Sequence, residues 1–264
     1  MLIDFHTHAF PDALAPRAIP SLQEKINVEP ETDGTVGDLL AKMDEWGVSR
    51  AVICNIATNP RQNVKVNDFA ISTLREHGDR LVPLGSINPG FPSISEEMVR
   101  LKQNGIRGIK IHPDYMEYEI DSPAFDEIFD VAAELGMFIV THAGFDVCSP
   151  EKIWASPDRI VRRIARSPKT DLICAHFGGN MLWDEVIEKL CGDRIYIDTS
   201  LCTVSKLTRG KAVKLLTKHS PDKILFGSDC PWCSSRETFE YVDSLQLSDD
   251  LKEKIYYKNA EKLI

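Results

Sequence analysis

The stretch Leu2-Ile3-Asp4-Phe5-His6-Thr7-His8 runs from strand-forming residues into two histidines two positions apart. In a strand, residues i and i+2 point to the same face, so His6 and His8 project side by side. Two neutral imidazoles so placed can grip one divalent cation. One core histidine followed by one loop histidine would look the same in so short a motif. What decides between the two readings is whether the rest of the chain brings further ligands to this pair.

Outward from this strand, short apolar runs alternate with helical periods. Strands are expected at residues 51–54, 81–87, 106–112, 137–142, 172–176, 194–198 and 223–227, with Pro83 a mild objection to the second of these. Between them, Thr35 caps a helix whose Val36, Leu39, Leu40 and Met43 form one stripe, and Gly47 stops it. Further helices are expected over 62–77, over 93–104 with a Ser93-x-x-Glu96 capping box, after Ser122-Pro123 up to Gly136, and over 158–167, 184–190 and 211–219. Two terminal helices follow, near 235–245 and 249–263. Eight apolar strands alternating with helices predict a single-domain α/β fold over 1–264, a (β/α)8 TIM barrel more than an open doubly wound sheet. No GxGxxG or P-loop pattern follows the first strand, which weakens nucleotide-binding alternatives.

The 264 residues carry a net charge of -9, which argues against nucleic acid or an anionic membrane as the main partner. No leader pattern and no apolar run of spanning length is present, so a cytoplasmic location is expected. Seven scattered cysteines suggest free thiols. Residues 9–34, rich in proline and charge, are too long for a routine connection and read as a lid or binding loop containing a short helix near 21–27.

Active sites of such barrels form at the C-terminal ends of the strands. Five of the seven histidines fall there: His6, His8, His112, His142 and His176. Lys110 and Asp229 fall there too. His6, His8, His142 and Asp229 are expected to converge on one divalent metal, Zn²⁺ first, with Mn²⁺ or a second metal left open. His176 is then a candidate to orient a metal-activated water or shuttle a proton, and Asp229 to accept one, as catalytic groups.

These pieces, Asp4-Phe5-His6-Thr7-His8, Gly108-Ile109-Lys110-Ile111-His112-Pro113, Thr141-His142, Ala175-His176-Phe177-Gly178-Gly179 and Phe226-Gly227-Ser228-Asp229-Cys230-Pro231-Trp232, occur in order along the whole chain. In them the chain resembles the amidohydrolase superfamily, in particular amidohydrolase family 2, the branch of aminocarboxymuconate semialdehyde decarboxylase. The resemblance implies a metal-dependent barrel, usually with zinc. It implies His6, His8, His142 and Asp229 as ligands and His176 as the histidine that activates metal-bound water. Members include hydrolases of esters, lactones and amides as well as carboxy-lyases of unsaturated or aromatic acids.

The expected activity is hydrolysis of a small carbonyl substrate. A zinc-dependent decarboxylase of a small unsaturated or aromatic acid, a non-catalytic binding barrel and a phosphoesterase are the alternatives. Lys110, His112 and Trp232 are candidate substrate-binding residues, the lysine as the partner of a substrate carboxylate; in a binuclear variant it would be a carbamylated bridge. Cys230-Pro231-Trp232-Cys233 reads as a loop shaping the pocket wall more than as a redox or zinc motif. The expected partner is a small carbonyl or carboxylate molecule; homo-oligomerisation is left open.

Overall fold

In a computed structural model describing residues 1–192 and 194–264, the chain closes into a parallel barrel ringed by helices. The strands are β1 (Ile3–Thr7), β2 (Arg50–Ile53), β3 (Leu81–Pro83), β4 (Gly85–Ser86), β5 (Gly108–Ile111), β6 (Phe138–Thr141), β7 (Leu172–Cys174), β8 (Tyr196–Asp198) and β9 (Ile224–Leu225). The helices are α1 (Ala15–Ile26), α2 (Val36–Trp46), α3 (Asn63–His77), α4 (Ile94–Gln103), α5 (Pro113–Met116), α6 (Asp126–Leu135), α7 (Pro157–Arg166), α8 (Trp183–Lys189), α9 (Arg209–Lys218), α10 (Ser235–Asp243) and α11 (Asp249–Glu253).

β1 to β3 pair in order, as do β4 to β9, all parallel. The ring closes where the chain beyond β9 returns to β1: the Phe5 amide donates to the Phe226 carbonyl at 2.8 Å, and the Asp229 amide to that of His6 at 2.8 Å. The single strand expected at 81–87 is broken into β3 and β4 at Leu84. There the chain leaves β2 and pairs with β5. Pro83 contributes no amide hydrogen to the ladder, and the Leu84 amide still reaches the Ile53 carbonyl at 2.9 Å.

β1 carries an irregularity that positions the site. Its register to β2 shifts between Asp4 and Thr7, so two residues, Phe5 and His6, face one on the partner strand. Ile3 and Phe5 therefore point into the barrel, packed with Val52, Val82, Phe138, Val140, Ile173 and Leu225. Asp4 points outward to Ser228 and to Ser235 of α10. Beyond the bulge His6 and His8 turn inward above the apolar plug. The chain's last residues, Ala260, Leu263 and Ile264, pack against the same inner cluster. Outside the strands a second apolar layer, including Ile53, Leu101, Ile109, Ile139, Ile197 and Leu215, joins barrel to helices.

Several local expectations hold, and others shift. The Thr35 hydroxyl accepts from the Asp38 amide, and Gly47 and Gly136 end their helices in the left-handed region. Ser93 makes no side-chain cap, so the capping box does not form; its backbone lies at φ -125°, ψ 54°, and only its carbonyl engages the helix, through Glu97 N. The short helix expected near 21–27 is the end of the longer α1, which begins at Ala15 and accommodates Pro20. The lid is closed at its base by Phe10 N to Gly34 O (2.8 Å) and tied to the Cys230–Trp232 loop by Glu31 N to Pro231 O (2.8 Å). No helix among the described residues is long and apolar enough to cross a membrane.

Candidate metal centre and active site

A cavity of about 650 Å³ opens at the C-terminal end of the barrel. His6, His8, Lys110, His112, His142, His176, Asp229 and Trp232 all line it, so every candidate site residue named from the sequence is brought to one place. Its walls are largely apolar: Leu22 and Ile26 of the lid helix, Phe69, Phe145, Leu201 and Trp232.

The proton positions on His6 and His8 follow from their partners. His6 Nδ1 lies 2.8 Å from Asp198 Oδ2, and His8 Nδ1 lies 3.0 Å from the Cys54 carbonyl. Those oxygens accept, so both Nδ1 atoms carry the hydrogen and both Nε2 atoms present a lone pair. The Nε2 atoms of His6 and His8 face Asp229 Oδ1 at 3.2 and 3.1 Å. Three buried or half-buried acceptors thus converge with no hydrogen between them, an arrangement that a cation satisfies. One cation already borders it: Lys110 Nζ lies 3.0 Å from His6 Nε2. His142 stands across the barrel, and its Nε2 is a buried nitrogen without a hydrogen-bond partner among the described residues. Three imidazole nitrogens and one carboxylate oxygen fit a divalent metal by their chemistry.

A second group surrounds this one. His112 stacks on His142 (ring centroids 4.4 Å, 15° between planes) and on Tyr115 (3.8 Å, 5°). Asp146 Oδ2 lies 3.4 Å from His112 Nε2 and 3.8 Å from His142 Nε2, so His112, His142 and Asp146 form another cluster of metal-ligating types. His176 has both ring nitrogens engaged, Nε2 with His142 Nδ1 at 3.0 Å and Nδ1 with Ser200 Oγ at 2.7 Å.

Burial lowers the imidazole pKa of His6, assisted by Lys110, and lowers those of His112, His142 and His176, so these rings stay neutral. Burial alone would raise Asp198, but His6 and the hydrogen bonds from Ser200 and His176 N outweigh it and hold this carboxyl below its usual range. Asp146 is likewise held low, against burial, by its contact with His112 and the hydrogen bond from the Cys148 amide. Burial pushes Asp114 up to about 7.

Two candidate site residues have unusual backbones. His176 (φ 59°) and Asp229 (φ 77°) both occupy the left-handed region, which L-residues adopt at a cost. Each is fixed by neighbours: His176 N donates to Asp198 Oδ1 (2.9 Å), and Asp229 N donates to His6 O. The thiols of Cys230 and Cys233 are buried and unpaired, and burial pushes both above the usual thiol range. Trp232 stands between them on the cavity wall.

Sequence reasoning did not single out Asp198, Ser200 or Asp146. Asp198 ends β8, so the same inventory of strand ends contained its signal. Ser200 and Asp146 lie in loops, where no period marks them.

Fold and site together define the class: a TIM-barrel metalloenzyme with an imidazole–carboxylate centre at the barrel mouth. The family model of Amidohydro_2, described as amidohydrolase, matches residues 3–264, and the chain belongs to that family. It is a metal-dependent enzyme, hydrolase or carboxy-lyase.

Among solved structures the chain is similar to an uncharacterized TIM-barrel protein from Bordetella bronchiseptica, at 17% identity and TM-score 0.75, covering 99% of this chain and 97% of that one. It is similar to 5-carboxyvanillate decarboxylase LigW from Sphingomonas paucimobilis, at 16% identity and TM-score 0.73, covering 99% and 98%. A dihydroxybenzoic acid decarboxylase from Polaromonas, with bound manganese and the inhibitor 2-nitroresorcinol, aligns at 14% identity and TM-score 0.71, covering 99% and 96%. No curated protein matches.

Proposed function

We propose that the chain is a decarboxylase of a small aromatic carboxylic acid that carries a neighbouring oxygen. The observation that carries this reading is the floor of the cavity. There the acceptor cluster His6 Nε2, His8 Nε2 and Asp229 Oδ1 stands beside the buried Lys110 ammonium, beneath apolar walls. The ligands are His6, His8, His142 and Asp229, for one divalent ion, manganese or zinc. Manganese in the Polaromonas decarboxylase supports the choice, and the similarity to decarboxylases over nearly the whole chain favours loss of CO₂ over addition of water. When bound, the ion supplies positive charge that holds substrate oxygens and draws electrons as bonds change.

The chain's own residues do the rest. Lys110 pairs with the substrate carboxylate or its neighbouring oxygen and orients it. Tyr115, stacked on His112, and Trp232 contribute aromatic side chains to the cavity lining, against which an aromatic ring packs. Asp229 takes the proton of the substrate's neighbouring hydroxyl and passes it to the ring carbon that bears the carboxylate, leaving the substrate oxygen as the phenolate. The C–C bond then breaks, its electron pair stays with the ring, and neutral CO₂ leaves. The apolar walls favour this step because a charged carboxylate becomes an uncharged gas.

The test is release of CO₂ from a panel of mono- and dihydroxybenzoates by protein supplied with Mn²⁺ or Zn²⁺, beside a panel of aryl esters and lactones. CO₂ release that disappears in His6→Ala and Asp229→Asn supports the proposal. Hydrolysis without CO₂ release, the activity expected from the sequence, would contradict it.

A further inference from the structure

The carboxylate of Asp198 touches three elements of the site through its two oxygens. Oδ2 accepts from His6 Nδ1 at 2.8 Å. Oδ1 accepts from the amides of His176 (2.9 Å) and Ser200 (3.0 Å) and from the Ser200 hydroxyl. A serine hydroxyl has one hydrogen, and here it goes to Asp198. The Ser200 oxygen must therefore accept from His176 Nδ1, 2.7 Å away.

His176 then carries its hydrogen on Nδ1 and a lone pair on Nε2. That lone pair faces His142 Nδ1 at 3.0 Å, so His142 Nδ1 must donate. A neutral His142 with its hydrogen on Nδ1 is left with a lone pair on Nε2, the buried nitrogen without a hydrogen-bond partner among the described residues. The four members of this chain, Asp198, Ser200, His176 and His142, are all buried.

We propose that Asp198 and Ser200 are positioning residues which, relayed by His176, fix the tautomer of His142. The same carboxylate fixes His6 directly, so one buried aspartate presents two nitrogens on opposite sides of the barrel to a single cation. His176 acts in this relay through His142. The inference rests on the ligand set proposed above and is independent of the reaction catalysed there.

The test is long-range ¹H–¹⁵N NMR of histidine-labelled protein stripped of metal, with calorimetric titration by Zn²⁺ alone. In the wild-type chain, His6, His8, His142 and His176 all show the hydrogen on Nδ1. Ser200→Ala leaves His6 and His8 unchanged, mixes the tautomers of His142 and His176, and weakens Zn²⁺ binding roughly 10- to 100-fold. Ser200→Thr, which keeps the hydroxyl, restores both. Asp198→Asn disturbs His6 as well.

A wild-type His142 with its hydrogen on Nε2 overturns the relay without needing any variant to fold. So does Ser200→Ala with unchanged tautomers and unchanged Zn²⁺ affinity. Failure of wild-type protein to bind Zn²⁺ or Mn²⁺ at all would overturn the ligand set instead.

Discussion

At the scale of single residues, the site is a problem of where hydrogens sit. His6 and His8 show their lone pairs to Asp229 because their other nitrogens are occupied by Asp198 and the Cys54 carbonyl. Asp229 in the proposed reaction both completes the donor set and passes a proton from the substrate's hydroxyl to its ring carbon. Asp229→Asn is thus expected to lower kcat about 10²- to 10⁴-fold, measured as CO₂ release at saturating substrate. Retention of wild-type turnover would remove Asp229 from the mechanism.

The buried imidazoles also set a pH dependence. In the unfolded chain each titrates near 6.5, whereas burial keeps His6, His112, His142 and His176 neutral to lower pH in the fold. As pH falls below about 6.5 the unfolded state binds more protons, so stability declines. Asp4 and Asp114, pushed up to about 6 and about 7, act oppositely, since there the folded state binds the proton more tightly. Four groups against two leave a net loss. Metal-stripped protein is expected to melt roughly 5 °C lower at pH 5.5 than at pH 7. A rise in melting temperature over that interval would show that the imidazoles are not held neutral by burial.

At the scale of elements, the barrel's mouth is built from loops that hold one another. The loop after β6 closes on itself at Gly144, whose amide donates to Ala155 O (2.9 Å), and it is joined to the loop after β7 at Asn180. Phe145 N donates to Asn180 O, and Asn180 N to Ala143 O. Gly144 sits at φ 89°, and a Cβ there would meet Asn180 N at 2.2 Å. Gly144→Ala is expected to cost about 2–4 kcal/mol, measured by denaturant unfolding, because backbone strain and overlap with main chain add. A loss under 0.5 kcal/mol would mean the two loops are not tied together.

The elements also mark how far a sequence can be read. Alternating apolar runs and helical stripes announced the barrel, since burial on both faces leaves a plain pattern. The bulge at Phe5–His6 was not legible, because period-two counting places Asp4 and His6 on the same face. In the structure a shift in register to β2 sends Asp4 outward and His6 inward. The Ser93 cap failed for a similar reason: a motif states which groups can bond, whereas local backbone angles decide whether they do. The site residues on strand ends were legible because the fold aims strand ends at the mouth. Ser200 and Asp146 became visible only when their loops folded back over it.

At the scale of the molecule, the barrel is an apolar plug below and a polar ring above. Phe5, Phe138, Val140 and Leu225 fill the inside, and the carboxy-terminal Leu263 and Ile264 pack against that plug. The polar ring concentrates imidazoles and carboxylates, and the buried His142 Nε2 has no hydrogen-bond partner among the described residues. Binding of a divalent ion there should therefore stabilise the whole fold. At an ion concentration of 100 times Kd the gain is about 2.7 kcal/mol, a rise in melting temperature of about 5–10 °C over chelated protein. Equal melting temperatures with and without Mn²⁺ or Zn²⁺ would contradict a resident metal.

The most direct test of the central claim, one divalent ion held by His6, His8, His142 and Asp229, is the metal content per chain. It would be measured by elemental mass spectrometry on protein purified without chelator. About one manganese or zinc per chain, lost together in His6→Ala and His142→Ala, is the predicted result. About two per chain would point instead to a second ion at His112, His142 and Asp146 or bridged by Lys110. None, even after addition of manganese, zinc or cobalt, would contradict the account.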